Sequence, residues 1–211
     1  MVVGLVAGVA YLLLSSPLTV VRQVQVTGNG DVPAQVVLRA AAVPLGEPMV
    51  RLDGAAVQRR VLATVANVGS VSVQRHWPST VRLVLTGRVV ALVVPQDGQF
   101  LLVDRAGVAY RLTPKPPQGV VAAALADPGP DDAATRAVLA VLHGLPRDLR
   151  QRVQRVAAPT PDQVTLLLRD GRAVLWGGVS DGPAKAAVVR ILLRRPGRHI
   201  DVSAPGLVTV R

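Results

Sequence analysis

Gly178-Val179-Ser180-Asp181-Gly182 fits the pattern G-x-S-x-G. In one class of hydrolases that pattern holds a serine on a sharp turn between a strand and a helix. The surroundings fit: an apolar run ends at Trp176, and Pro183 suits the first turn of a helix. A triad of that class then needs an acid followed by a histidine. Here His199 comes first and Asp201 second. Two positions apart on one short strand, they share a face, which leaves no room for a relay through an imidazole. A helix start capped by Ser180 or Asp181 is the simpler reading. His76, His143 and His199 lack ligand-like spacing and stand near no Cys or Glu cluster, so no metal site is expected. Asp53, Asp104 and Asp201 fall in three distant elements, where caps and turns are the ordinary use. With no phosphate loop and no dinucleotide fingerprint, no cofactor is expected and no residue is assigned a catalytic role.

Composition narrows the classes further. Half of the 211 residues are hydrophobic, which suffices for a sizeable core, and with aromatics at 2% that core must be aliphatic. The absence of Cys removes thiolate catalysis, Cys-based zinc sites and disulfides. The formal net charge of +11 is nearly all Arg; Lys115 and Lys185 are the sole lysines. Nucleic acid or an anionic membrane surface would account for it, and so would a scattered Arg habit. No five-residue block is purely basic, and Trp77, Phe100, Tyr110 and Trp176 are too dispersed to form a stacking platform.

Met1 to Leu14 carries no charge. Fourteen helical residues rise about 21 Å, short of a bilayer core of about 30 Å. A signal peptide lacks its basic start here, and a buried soluble helix would need a polar face. The preferred reading is a transmembrane anchor over residues 1–16 whose N-terminal part is missing.

Beyond Pro17, Thr19 to Thr27 alternates as a strand, and Gly28-Asn29-Gly30 closes it. Pro33 opens a helix with Val36, Val37, Ala40 and Ala41 as its stripe. Asp53 caps a second, with Val57, Val61, Leu62 and Val65 inward and Arg59 and Arg60 in water. Val68 to Leu85 then reads as two strands around a Trp77-Pro78-Ser79 turn. The order β-α-α-β-β predicts two helices on one face of a three-stranded sheet.

From Val89 the pattern turns strand-rich. Val89 to Pro95 is apolar on both faces, Asp97-Gly98 marks a hairpin, and Gln99 to Asp104 returns. Another strand spans Val108 to Leu112, and Thr113 to Gly119 is a Pro-rich excursion. Asp131-Asp132 open a helix containing Ala134, Val138, Val141 and Leu142, while Leu149 to Val156 is simply polar and basic. Gln163 to Trp176 forms a hairpin whose Asp170-Gly171 suits a type I′ turn. Asp181 caps the last helix, with Val188, Ile191 and Leu192 inward and Arg190, Arg194 and Arg195 in water. Ile200 to Ser203 is expected to be an exposed sheet edge, available for a partner's strand because only a short tail follows.

These residues resemble a known family. V-x-x-V-x-V-x-G (Val21 to Gly28), the step Gly46, Pro48, Asp53, the run V-x-x-V-x-V-x-R-x-W-P (Val68 to Pro78) and TVRLVLTGR are similar to the FtsQ/DivIB family of cell-division proteins. L-V-D-x-x-G-V-A-Y (Leu102 to Tyr110), the Lys185-Ala186 helix and D-V-S-A-P (Asp201 to Pro205) resemble its actinobacterial branch. The family's usual Glu-Arg-x-Pro-x-Ala is replaced here by Thr86-Gly87-Arg88-Val89-Val90-Ala91.

The resemblance implies an α+β chain with a membrane anchor, a POTRA domain over residues 18–88 and an FtsQ-type β domain with two flanking helices over 89–211. It implies a non-enzymatic divisome scaffold in the cytoplasmic membrane at the septum, its bulk extracytoplasmic. The implied partners are FtsB- and FtsL-like bitopic proteins and the septal peptidoglycan synthesis machinery. The implied partner-binding residues are Lys185, Asp201, Val202, Ser203 and Ala204. The alternatives are a POTRA-type chaperone or secretion module, which would need tandem repeats or a barrel, and a secreted hydrolase using Ser180.

Overall fold

The computed structural model describes residues 19–28 and 30–204, and the backbone of 207–210. The anchor expected over residues 1–16 lies outside the described residues. Among those described, no helix is long and apolar enough to cross a membrane. The chain divides into two compact units, with the boundary in sequence between Arg88 and Val89.

The first unit runs β1 (Gln23–Thr27), α1 (Ala34–Ala41), a 3-10 turn (Met49–Arg51), α2 (Gly54–Thr64), β2 (Val68–His76) and β3 (Thr80–Gly87). The tight connection makes β2 and β3 antiparallel, while β1, separated from them by both helices, pairs parallel with β3. The sheet order is therefore β1-β3-β2. Val71, Val81, Leu83 and Leu85 are buried with Val37, Ala41, Val57, Val61 and Val65 in one core. Asp53 caps α2 as expected, its carboxylate accepting from Ala56 N–H at 3.0 Å.

Two expectations for this unit need correction. The first strand begins at Gln23, not Thr19. Val21 N–H instead donates to Glu47 O at 2.9 Å and Gly46 N–H to Val21 O at 2.8 Å, so the entry segment pairs with a loop. Arg60 does not simply point into water: its guanidinium donates to Ala41 O at 3.0 and 2.7 Å, satisfying a carbonyl at the end of α1.

The second unit contains β4 (Val90–Gln96), β5 (Gln99–Asp104), β6 (Ala109–Thr113), β7 (Val121–Ala124), α3 (Ala133–Gly144), α4 (Arg147–Arg152), β8 (Val153–Ala157), β9 (Val164–Leu168), β10 (Ala173–Gly177), α5 (Gly182–Leu192), β11 (His199–Ala204) and β12 (Leu207–Val210). Its nine strands are ordered β12-β11-β10-β9-β8-β7-β4-β5-β6. Val94, Ala123, Val156, Leu166, Val174 and Ile200 share one face and pack with Val138, Val141, Leu149, Ala186 and Val189. The helices therefore cover a single face. Asp132 caps α3, accepting from Thr135 N–H at 2.6 Å and from its hydroxyl at 2.7 Å.

Three helices flank this sheet, not two, and β7, α4 and β8 occupy stretches without an expected element. Val-Ala-Ala-Ala in β7 shows no alternation, yet it pairs parallel with both β4 and β8, and Ala123 is fully buried beneath the helix layer. The Asp97-Gly98 turn has positive φ at both residues, as type I′ requires. The turn at Asp170-Gly171 differs. Only Gly171 has positive φ, Gly171 N–H donates to Leu168 O, and Leu168 N–H to Arg172 O, which is a type I turn with a G1 bulge. Helix α5 is also rotated from expectation. Lys185, Ala186, Val189 and Leu192 face inward, while Ile191 is 59% exposed.

The largest correction concerns Ile200 to Ser203. β11 is parallel to β10 on one side and antiparallel to β12 on the other, with Ile200 opposite Val210 and Asp201 opposite Thr209. The expected free edge is already paired on both flanks by its own chain. Among the described residues the sheet borders are β12 and β6.

Candidate functional site

The corner formed by β10, α5, β11 and β12 gathers the residues singled out for partner binding. Strand β10 ends at Gly177, which has φ +75. A Cβ there would lie 2.8 Å from Ser203 Cβ and 2.9 Å from Ser203 Cα, so only glycine lets β11 run this close. The chain then turns into α5 through Asp181, itself left-handed at φ 56. Asp181 occupies the cap position, but its carboxylate makes no capping hydrogen bond; Pro183 stands in the first turn as expected.

Lys185 is only 4% exposed. Its Nζ donates to Gly178 O at 3.0 Å, tying the first turn of α5 to the end of β10. A buried ammonium needs such an acceptor, and Lys185 shares the inward face with Ala186, Val189 and Leu192. Reversing its charge would set a carboxylate against a carbonyl oxygen, so Lys185 braces the corner from within.

Along β11 the remaining candidates separate by face. Val202 is 3% exposed and belongs to the core, so its side chain is unavailable to a partner. Asp201 and Ser203 lie on the helix-free face, half-buried. The Asp201 carboxylate accepts from Ser203 N–H at 2.9 Å and from its hydroxyl at 2.7 Å. Ala204 is exposed and pairs with Leu207. Among the described residues, this corner thus offers a border strand with no strand on its outer side and a small polar patch on the neighbouring strand.

The residues considered for catalysis are not assembled. Asp201 is engaged by Ser203, and no hydrogen bond among the described residues joins Ser180 to His199. Asp104 holds a turn, accepting from Ala106 N–H at 2.8 Å and Val108 N–H at 2.9 Å. Among the described residues no group of His, Asp and Glu could hold a metal ion. Arg88, at the junction lacking the family's Glu and Pro, donates through Nε to Ala66 O at 2.8 Å.

The sequence presents Val208 to Arg211 as extended residues, but not as the strand β12 that pairs with β11 and forms this border. The signal was present in Leu207-Val208-Thr209-Val210, an alternating run preceded by the turn dipeptide Pro205-Gly206.

Comparison with known proteins agrees with this architecture. The family described as "POTRA domain, FtsQ-type" matches residues 19–88, and "Cell division protein FtsQ/DivIB, C-terminal" matches residues 91–201. The chain is 41% identical to the cell division protein FtsQ of Mycobacteroides abscessus, over 97% of this chain and 65% of that protein. It is 40% identical to that of Mycolicibacterium smegmatis, over 98% of this chain and 62% of that protein. With the FtsQ of Streptomyces bingchenggensis the identity is 35%, covering 94% and 78%. The chain thus spans somewhat less than two thirds of the length of the first two relatives. On these matches the chain, an α+β protein with a POTRA domain followed by a β-rich domain, belongs to the FtsQ/DivIB family of cell division proteins.

Proposed function

We propose that this protein is a non-enzymatic divisome scaffold, anchored by a single N-terminal span in the cytoplasmic membrane at the septum, with both units on the outer side. It recruits FtsB- and FtsL-like bitopic proteins and links them to septal peptidoglycan synthesis. Family membership supports the process; the border strand β12 supports the mode. A partner strand adds to the outer side of β12, where backbone hydrogen bonds supply affinity and neighbouring side chains supply register. Asp201, Ser203 and Ala204 lie on β11, inward of β12, and seat β12 for the added strand. Val202 and Lys185 act indirectly, by fixing β11 and α5 beneath it.

The test uses two proline variants. Successive residues of a strand turn their N–H groups to opposite sides, so Val208→Pro and Thr209→Pro remove one inward and one outward donor. Binding of the purified full chain to a synthetic extracytoplasmic segment of its FtsB-like partner is measured for each. The outward variant should lose roughly tenfold in affinity or more at unchanged melting temperature, and the inward variant should lose stability. Wild-type affinity in both variants would contradict the strand-addition mode.

A further inference from the structure

The helix layer of the second unit carries a groove of about 610 Å3. Its long wall is one face of α3, where Arg136, Leu139, Ala140 and His143 follow at i, i+3, i+4 and i+7. Arg105 enters from the turn between β5 and β6, and Arg150 from α4. All four cationic or imidazole side chains are exposed, and none of the residues lining the groove is acidic. Arg150 is held in place: its Nη2 donates to His143 O at 2.9 Å and Leu145 O at 2.8 Å. A charge fixed before binding loses little freedom on pairing. Leu139, packed on the core, forms an apolar floor between the charged walls.

We propose that this groove docks an acidic amphipathic helix of a partner protein. The sequence of α3 sets the pattern of that helix. Arg136 and His143 lie two turns apart, about 10.5 Å along the axis. A helix packed alongside α3 meets them with carboxylates at i and i+7, and fills the space over Leu139 and Ala140 with an apolar side chain at i+3 or i+4. A flat anionic membrane does not reach a recessed apolar floor. Single-stranded nucleic acid binds on aromatic platforms, and the lining has none. The site lies on the helix layer, on α3 and α4, so it does not depend on strand addition at β12.

Fluorescence anisotropy on the purified full chain tests the proposal with three probes. These are a helical peptide bearing Glu at i and i+7 with Leu at i+3 and i+4, the same peptide with Gln for Glu, and vesicles of phosphatidylglycerol. The Glu peptide should bind, and about 0.5 M salt should weaken it. The Gln peptide should bind about tenfold more weakly, and Arg105→Glu combined with Arg136→Glu should lower affinity for the Glu peptide at least as much. Ala140→Trp fills the groove without changing charge and should block the same peptide. No binding, equal binding of the two peptides, affinity unmoved by the substitutions, or a requirement for these arginines only on vesicles would each overturn the proposal.

Discussion

In the three-stranded sheet, the two strands of the tight hairpin are neighbours, and β1, two helices away in the chain, pairs parallel with β3. In the nine-stranded sheet, three of the eight pairings are parallel, and each joins strands separated by a helix or a long excursion. The two sheets obey the same alternation locally. They differ in how much of the neighbour relation is set by short connections. Both sheets bury one face against helices, and the second adds three crossovers and the corner built on Gly177 and Lys185.

Three measurements sharpen or break that contrast. The largest effect is expected at the centre of the first sheet. Leu83 is fully buried, so Leu83→Ala should cost about 2–5 kcal/mol in urea denaturation, through lost burial and the cavity left behind. A loss under about 1 kcal/mol would mean that the central strand is not the keystone of that unit.

A smaller effect is expected at the corner of the second. Gly177→Ala places a methyl against Ser203 at positive φ and should cost about 2–4 kcal/mol. It should also speed amide exchange in β11 relative to β9. Unchanged exchange in β11 would remove the claim that Gly177 sets the approach of that strand.

The smallest effect is in acid. In the second unit, hydrogen bonds from Thr135, Arg190 and Arg172 hold the carboxyls of Asp132, Asp148 and Asp170 below their ordinary range. In the first unit, the backbone N–H of Ala56 lowers the carboxyl of Asp53 in the same way. A carboxyl depressed in the folded state contributes stability above its unfolded pKa of about 3.9, and that contribution is lost as pH falls through the folded value. Stability should therefore be level near neutrality and decline below about pH 4. The second unit should lose more, as read by exchange of α3 against α2. An equal loss would mean that these exposed pairs are screened to insignificance.

The first unit was legible because each element announces itself. Alternation in Val71, Val81, Leu83 and Leu85, Asp53 before a helical stripe, and Pro78 in the turn all point the same way. In the second unit the hairpins and α3 were equally plain. The exceptions are the covered strand β7, whose alanines carry no period, and α5, whose inward face includes the buried Lys185 that periodicity reads as a surface group. The candidate site is half legible. The motif Asp201 to Pro205 points to the strand that β12 covers, but hydrophobic pattern reports which face of a strand is buried and not which strand lies beside it, so the pairing of β12 with β11 is not legible.

The central claim is that β12 lends its outer backbone to a partner. Hydrogen exchange of residues 207–210 in the full chain, with and without the FtsB-like segment, tests it most directly. Alternate amides of β12 should exchange quickly alone and become protected on binding, while those facing β11 stay protected throughout. Saturating partner with no change at residues 207–210, and new protection elsewhere, would contradict it.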